Sequence, residues 1–545
     1  MKLFFSCRQI NKYTLIRLFW LIILVLVTNN SFAAQFCEKR DKRWSEQENR
    51  VLHLLCNGKQ ARAADKDEPI LSAKFLRELL EQSATEPVFA KQGIKIYGAK
   101  VKESLDWSGL VVNVPLALDR VLFEEKVSLS YASFPSSLSF DESEFKKPLR
   151  MNGTTIGRYF MARGCTMNSL DLRGAYIKGP AYLSGTNISG KLDMHRVKID
   201  RSLTLDSPVK YKDSNKRRSG VPGEDKIGIF QSRVILEGAA IGDLLDLRGS
   251  QFDKPVNMRR VSVGKSLLAR SNATFKDVLI LQGATVFGLV DLSGSYFKHG
   301  VDLSNAKISE DLVIGMDDKG QKACSKWGDN AWLRLTNAHV FTLRDKLCST
   351  TSDLKHWPNN ISLTGFRYDL LSGADQEDAA VFAGRDSKWL IAWLELQQQY
   401  SPEPYKQLAN VLKSNGYVDT SQKVLIESKY REMRTTNNYF QKINLALQWV
   451  FIGFGYGYWR VAAWMLVATL MGAGLLHFVD KPLSANFLSR IFYSLDRLMP
   501  VVGLSNTHFE PELPVPVCYY FFVHRLFGFV LTSYLVAGIT GIAEN

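Results

Sequence analysis

Four cysteines of the sequence form two candidate disulfide pairs. Cys324 and Cys348 lie two units apart in interruptions of a repeat, so their Cα atoms can come within the range of about 4.4–6.8 Å that a disulfide needs. Cys37 and Cys56 flank the charged segment that follows the N-terminal apolar run, and they form the other pair. Both pairs require an oxidising compartment such as the bacterial periplasm. Cys165 sits at an irregular step of the repeat, and we expect it to be buried.

A cluster of five cations lies in the first of three segments that interrupt the repeat. The segments cover residues 207–229, 315–332 and 345–360, and each follows the same kind of half-coil, so all three should emerge from one face. Insertions on one face of a repeat protein often form its binding surface. The cations can bind phosphate or carboxylate groups, and a solvated loop is the alternative interpretation. They are Lys210, Lys212, Lys216, Arg217 and Arg218.

The sequence lacks the short motifs that would indicate an enzyme. G-x-S-x-G, H-E-x-x-H and C-x-x-C are absent, and the glycines of residues 454–457 are not followed by the Lys-Ser or Lys-Thr pair of a phosphate loop. We therefore predict no catalytic residue, no metal site and no cofactor, which favours a non-enzymatic role. A polysaccharide-acting enzyme is the alternative, because acidic and basic side chains lie close together between Asp193 and Arg201.

Length and composition describe an ordinary folded chain with a basic surface. The 545 residues suggest roughly three or four domains. Apolar residues make up 46% and charged residues 23%, which excludes wholesale disorder, collagen and a small disulfide scaffold. The net charge of +15 favours anionic partners such as lipid head groups or acidic polymers.

Both ends of the chain carry apolar segments that predict a membrane protein. Residues 1–33 combine four cations, the apolar run 18–27 and small residues at 31–33, which is typical of a signal peptide or a signal anchor. Near the C-terminus, residues 461–478 and 526–543 are uncharged and just long enough to cross a bilayer, and aromatic residues precede each. Cations lie on both sides of the first span, so the orientation of the spans stays open.

Between about residues 91 and 370 the chain repeats an eleven-residue unit. Its inward apolar positions are separated alternately by five and six residues, as in Leu172, Ile177 and Leu183. An α-helix would need a spacing of three or four. Four inward residues close a coil of about 22 residues, and successive coils can stack on each other. The sequence therefore predicts a mainly β protein, a solenoid of 22-residue coils.

The segments LDLRGAYIKGPAYLSGTNISGKLDM and VDLSGSYFKHGVDLSNAKI resemble pentapeptide-like repeats, which implies a right-handed β-helix. The order of repeats, a helical segment and a membrane tail containing YSLDRLMPVVGL resembles a bacterial family often labelled "membrane-associated oxidoreductase". No residue of this sequence supports that activity, so we do not extend it to this chain. Pentapeptide proteins that imitate DNA are acidic, whereas this chain is basic, and we expect no nucleic-acid partner.

The remaining segments complete a five-part organisation. Residues 1–33 are the signal, 34–90 a helical N-terminal cap, 91–370 the β-helix, 371–445 a helical adaptor and 446–545 the membrane domain. In the adaptor, Ser401 is expected to cap a helix that ends at Gly416, and residues 420–434 form a second helix, as in one tetratricopeptide unit. Residues 487–506, between the spans, are amphipathic and can lie on the membrane surface.

The segment between the spans also raises a channel hypothesis. A span, a short helix, a loop and a second span follow each other in the order of a pore domain, and such loops line filters with backbone carbonyls. The candidate re-entrant loop is Val501, Val502, Gly503 and Leu504. It lacks the Thr-rich run of potassium channels.

The function we predict is a membrane-anchored scaffold in the bacterial inner membrane, with the β-helix in the periplasm. Its looped basic face would meet an envelope protein or an anionic polymer, and its tail would contact membrane lipid. The alternative is a subunit of an oligomeric channel or transporter, which would make the protein a homo-oligomer. A membrane-associated oxidoreductase and a polysaccharide-acting enzyme rank below these two.

Overall fold

The computed structural model describes residues 37, 42–62, 68–83, 86–208, 221–317, 323–346, 348, 354–372, 385–457, 459–478, 487–499 and 513–539. The predicted signal at 1–33 lies outside them. The chain divides into two units, residues 1–383 and 384–545, which are described separately below.

In the described residues, three helices lie before the first long strand: α1 (Glu46–Cys56), α2 (Ala73–Gln82) and α3 (Pro87–Gln92); the short strand Ala61–Arg62 lies between α1 and α2. Helix α1 begins with a capping box, because the side chain of Ser45 accepts a hydrogen bond from the backbone of Glu48 and the Glu48 carboxylate accepts one from the backbone of Ser45. The same carboxylate accepts hydrogen bonds from the backbone and hydroxyl of Ser72, the N-cap of α2. One buried acid therefore joins the starts of two helices.

The strands are mostly two residues long, and the named pairings between them are parallel. One sheet contains eleven strands in the described parts of the chain. They are Leu105–Asp106, Val127–Ser128, Leu149–Arg150, Leu170–Asp171, Leu192–Asp193, Val234–Ile235, Val256–Asn257, Leu279–Ile280, Gly300–Asp302, Trp332–Arg334 and Asn360–Ser362.

A second sheet contains 28 strands within the same described ranges, and five of these are clearly longer than the rest. The long strands are Ile94–Val101, Leu116–Phe123, Lys307–Gly315, His339–Lys346 and Arg367–Ser372. The others are Ala61–Arg62, Ser133–Phe134, Leu138–Ser139, Glu144–Phe145, Thr155–Ile156, Phe160–Met161, Thr166–Met167, Tyr176–Ile177, Ala181–Tyr182, Asn187–Ile188, Lys198–Ile199, Leu203–Thr204, Ile229–Phe230, Ala240–Ile241, Leu245–Asp246, Gln251–Phe252, Ser262–Val263, Leu267–Leu268, Thr274–Phe275, Thr285–Val286, Val290–Asp291, Tyr296–Phe297 and Lys326–Trp327.

Each strand pairs with the corresponding strand about two repeat units later in the chain. Thr155 pairs with Ser133 on one side and with Tyr176 on the other, and Leu192 pairs with Leu170. Like side chains therefore stack in rows, and the rows pointing inward are almost fully buried. The longest aromatic row has ring centroids 4.8–5.3 Å apart and comprises Phe230, Phe252, Phe275, Phe297 and Trp327.

One series of turns has a backbone conformation that favours glycine. Gly153 and Gly174 have φ values of +67° and +62°, and Tyr131 occupies the equivalent position with φ +58°. The Tyr131 ring lies so close to Gly153 that an added Cβ would be 2.5 Å from a ring carbon, whereas nothing lies within 4 Å of a Cβ at Gly174. Gly153 is thus favoured by its positive φ, and a side chain there would have to displace the neighbouring Tyr131 ring.

Residues 384–545 are helical in their described parts. The helices are α4 (Ser387–Glu395), α5 (Pro402–Ser414), α6 (Val418–Thr435), α7 (Tyr439–Ile452), α8 (Trp459–His477), α9 (Phe487–Leu498) and α10 (Val515–Ile539). Ser401 occupies the N-cap position of α5, but its side chain makes no capping hydrogen bond. Arg431 of α6 instead donates to the Tyr405 hydroxyl at 2.9 Å and to the Gln397 carbonyl at 2.6 Å, which joins α5 and α6 to the segment after α4.

Helices α8 and α10 are long and apolar enough to cross a membrane, as judged over the described residues. Helix α10 begins at Val515, upstream of the predicted span at 526–543. Helix α9 exposes Phe487, Leu488 and Phe492. Its C-terminal end packs so tightly on α10 that a Cβ at Gly528 would lie 1.7 Å from the Leu498 carbonyl oxygen. The parallel sheets and the two apolar helices confirm the mainly β class with helical segments at both ends.

Candidate functional site

The three interruptions of the repeat leave the parallel sheet at equivalent positions. One row of paired residues runs Leu203, Leu245, Leu267, Val290, Leu312 and Leu343. The interruptions begin a few residues after the first, fifth and sixth members of this row, at 206–208, 315–317 and 345–346. We call these three segments the loop corner. Their common register agrees with the expectation that the insertions emerge from one face.

The first insertion begins with a buried acid and buried hydroxyls. Asp206 is 4% exposed, and its carboxylate accepts a hydrogen bond from the Ser184 hydroxyl. The Ser207 hydroxyl accepts a bond of 2.6 Å from the backbone N–H of Gly228, at the far end of the insertion. Lys226 reaches the Gly164 carbonyl oxygen at 2.6 Å. These bonds hold both ends of the insertion against the neighbouring strands.

The second insertion begins with a buried ion pair. Asp317 is fully buried, and its two carboxylate oxygens accept hydrogen bonds from Arg270 Nη1 at 2.8 Å and from the Ser271 hydroxyl at 2.6 Å. Asp291 also lies beside the same guanidinium, with 3.3 Å between Oδ2 and Nε. A buried charge requires such partners, because desolvation otherwise costs several kcal/mol, on the order of the stability of a domain.

The third insertion begins with a buried acid that contacts the insertion's own end. Asp345 is fully buried, and its carboxylate lies 2.7 Å from His356 Nε2 and accepts a bond of 3.2 Å from Trp357 Nε1. Trp327 Nε1 donates to the His356 carbonyl at 2.9 Å, so the second and third insertions also contact each other. Each insertion therefore has a buried aspartate at its base.

A further row of charges follows the same column of strands toward the N-terminus. The Asp119 carboxylate accepts hydrogen bonds from the Ser139 hydroxyl at 2.6 Å and from the Asp141 backbone at 2.9 Å. Burial raises the pKa of Asp119 to about 6, the neighbouring charge of Asp141 adds to this, and the bond from Ser139 opposes it. Arg163 forms an ion pair with Asp141 one strand further along.

The cysteines predicted to pair lie close together. The Cα atoms of Cys37 and Cys56 are 5.5 Å apart, and those of Cys324 and Cys348 are 5.6 Å apart, with the sulfur atoms of each pair placed as a disulfide. The second pair joins the second and third insertions. Cys165 is buried and lies 2.9 Å from the Phe140 carbonyl oxygen.

Two groups of predicted site residues lie outside the described residues. These are the cationic cluster Lys210, Lys212, Lys216, Arg217 and Arg218, and the candidate re-entrant loop Val501, Val502, Gly503 and Leu504. The binding roles that the sequence predicts for them stay predictions.

The buried aspartates of the loop corner were missed by sequence reasoning. Asp206 directly follows the apolar-x-apolar pattern at the place where the repeat stops, and Asp345 comes two residues after Leu343 of the paired row. An acid within a few residues of the last regular position before a break is the signal that could have found them. These carboxylates hold the ends of the insertions in place through hydrogen bonds and ion pairs. Among the described residues, no group of three or more His, Cys, Asp or Glu side chains could hold a metal ion.

Comparison with protein-family models, with curated proteins and with solved structures finds no match to this chain.

Proposed function

We propose that residues 91–370 wind into a right-handed β-helix that serves as a membrane-anchored scaffold and presents its looped, basic face to a partner in the bacterial envelope. The coil is supported by the register, in which strands pair with copies about 22 residues away, and by the buried rows of apolar side chains. The similarity of its repeats to pentapeptide-like proteins supports the right hand of the coil.

The main observation in support of a binding role is that the three insertions begin at equivalent positions of the sheet. They leave the sheet in one register, and each is held there by a buried aspartate: Asp206, Asp317 or Asp345. Because the three insertions begin at one corner, segments far apart in sequence are available to the same partner there. The five cations of the first insertion give that corner a positive charge, which suits an acidic protein or an anionic polymer.

The membrane anchor is supported by α8 and α10, and the periplasmic location by the signal-like residues 1–33 and the two cysteine pairs. Proteolysis of intact spheroplasts tests the location, because a periplasmic β-helix is digested from outside. Digestion only after lysis would contradict it.

Site-specific photo-crosslinking tests the binding face. A photoreactive residue at Asn215 in the first insertion should give a discrete adduct in living cells, and the same residue at Asn152, which follows a strand of the eleven-stranded sheet, is the control. Changing the five cations to Gln should abolish the adduct from position 215. Equal adducts from both positions, or an adduct that survives neutralisation, would contradict a specific basic face.

A further inference from the structure

The guanidinium of Arg460 packs against the turn between α7 and α8. Gly453 ends α7 in the left-handed conformation with φ 55°, and an added Cβ there would lie 3.6 Å from the guanidinium carbon. A Cβ at Gly457 would lie 3.3 Å from Arg460 Cδ. The arginine side chain therefore folds back against both glycines, at an ordinary contact distance from Gly453 and more tightly at Gly457.

Arg460 carries a positive charge that the described residues do not neutralise. Its Nη1 donates to the Trp449 carbonyl at 2.9 Å, and the Trp459 ring lies 6.0 Å from the guanidinium. Among the described parts of the chain, no acidic side chain forms an ion pair with it. A guanidinium presents five donors, so groups beyond Nη1 are suited to a planar oxyanion.

Two apolar cavities that share Trp464 and Val467 lie along α8 from this arginine, and we call them together the groove. Its first part has a volume of about 520 Å³ and is lined by Trp449, Trp459, Trp464, Ala463 and Val467 beside Arg460. The second cavity, of about 250 Å³, lies between α8 and α10 and extends along α8 to Met471. The helix rises about 16 Å between Arg460 and Met471 at about 1.5 Å per residue. That length matches one leaflet of hydrocarbon, about 15 Å.

We propose that this groove binds one anionic phospholipid, with its phosphate on Arg460 and an acyl chain along Trp464, Val467 and Met471. The proposal rests on the membrane insertion of α8 in the proposed function. Tryptophan rings favour the depth of the head groups, and a guanidinium pairs with phosphate through two parallel hydrogen bonds. The charge of Arg460 selects a head group of net negative charge.

Fluorescence quenching by brominated lipids tests the site in the full-length protein. The protein is reconstituted in phosphatidylcholine vesicles that contain brominated phosphatidylglycerol or brominated phosphatidylcholine, and the quenching of tryptophan emission gives their relative binding. We expect the wild type to prefer phosphatidylglycerol about fivefold, as one basic residue near the surface contributes a factor of that order. In the Arg460→Gln variant, the two brominated lipids should quench tryptophan emission about equally.

Controls separate this site from general effects. Lys442→Gln removes another cation, on α7, and should leave the preference unchanged. Ala463→Phe fills the groove, retains Arg460 and should also lower the preference. Inorganic phosphate at millimolar concentration should not compete, because it has no acyl chain.

Three possible results would overturn the proposal. Equal quenching by the two lipids in the wild type means that only annular lipid contacts the helix, and it overturns the proposal. A preference that survives Arg460→Gln, or that is lost with inorganic phosphate, overturns it as well. Flotation of the wild type with the vesicles is measured separately, because failure to float contradicts the membrane anchor rather than the lipid site.

Discussion

Removal of the Asp317 carboxylate tests the physical basis of the loop corner. Asp317→Ala leaves the Arg270 guanidinium buried without its closest partner and leaves the Ser271 hydroxyl without its acceptor. The side chain of Arg270 is only 10% exposed, so water cannot replace the lost contact without local opening.

The size of the effect follows from this burial. Breaking a buried ion pair by removing one partner costs about 3–5 kcal/mol. Asp291 stays 3.3 Å from Arg270 Nε and compensates part of the charge, so we expect about 3 kcal/mol. Asp253→Ala is the matched control, because the Lys276 side chain of its pair is 46% exposed, and exposed pairs contribute about 0–1 kcal/mol.

Native-state hydrogen exchange measures the effect locally. In Asp317→Ala, the amides of residues 323–327 should exchange roughly 100-fold faster, which corresponds to about 3 kcal/mol. The double variant Arg270→Met with Asp317→Leu removes both charges of this pair but leaves the buried Asp291 without the guanidinium, so it should recover only part of the protection. An exchange rate that changes by less than about threefold in the single variant would refute the reasoning.

Three further predictions concern the unit of residues 1–383. Burial raises the pKa of Asp119 to about 6, so the folded chain binds this proton more tightly than the unfolded chain does. The free energy of unfolding should therefore fall by at most about 3 kcal/mol as the pH rises from about 4 to about 6. Asp119→Asn should remove that fall, which thermal melts across this pH range would measure. Gly153→Ala should lower the melting temperature more than Gly174→Ala does. Both substitutions add the strain of positive φ, about 1–2 kcal/mol, but only the new side chain at position 153 meets the Tyr131 ring. Phe252→Ala should cost about 3–5 kcal/mol in denaturant unfolding, since it leaves a cavity inside the aromatic row.

The parallel pairing follows from the sequence because apolar periodicity determines which residues can face the interior. The residues Leu172, Ile177 and Leu183, which the spacing places inward, are all fully buried. The regular separation of these residues is enough to predict the stacking, because stacking requires only that similar side chains recur at a constant interval. The bounds of α10 were less predictable, since apolar composition does not show where a helix begins.

The buried polar contacts were not predictable from the same pattern. Arg270 and Asp291 occupy positions that the repeat directs away from the core, where charged residues are ordinary. Asp317, at the start of the second insertion, contacts Arg270, and an insertion has no periodicity from which its path could be predicted. The pairing of Arg270 with Asp317, 47 residues later, depends on that path.

Distances between spin labels along the eleven-stranded sheet test the coil most directly. Labels at Ser130 and at Glu237, Gln282 or Thr336 follow strands that are four, six and eight places apart in the pairing order. Parallel strands about 4.8 Å apart predict backbone distances of about 19, 29 and 38 Å that increase linearly with the number of strands. Distances that fail to increase with strand number would contradict the stacked coil on which the scaffold rests.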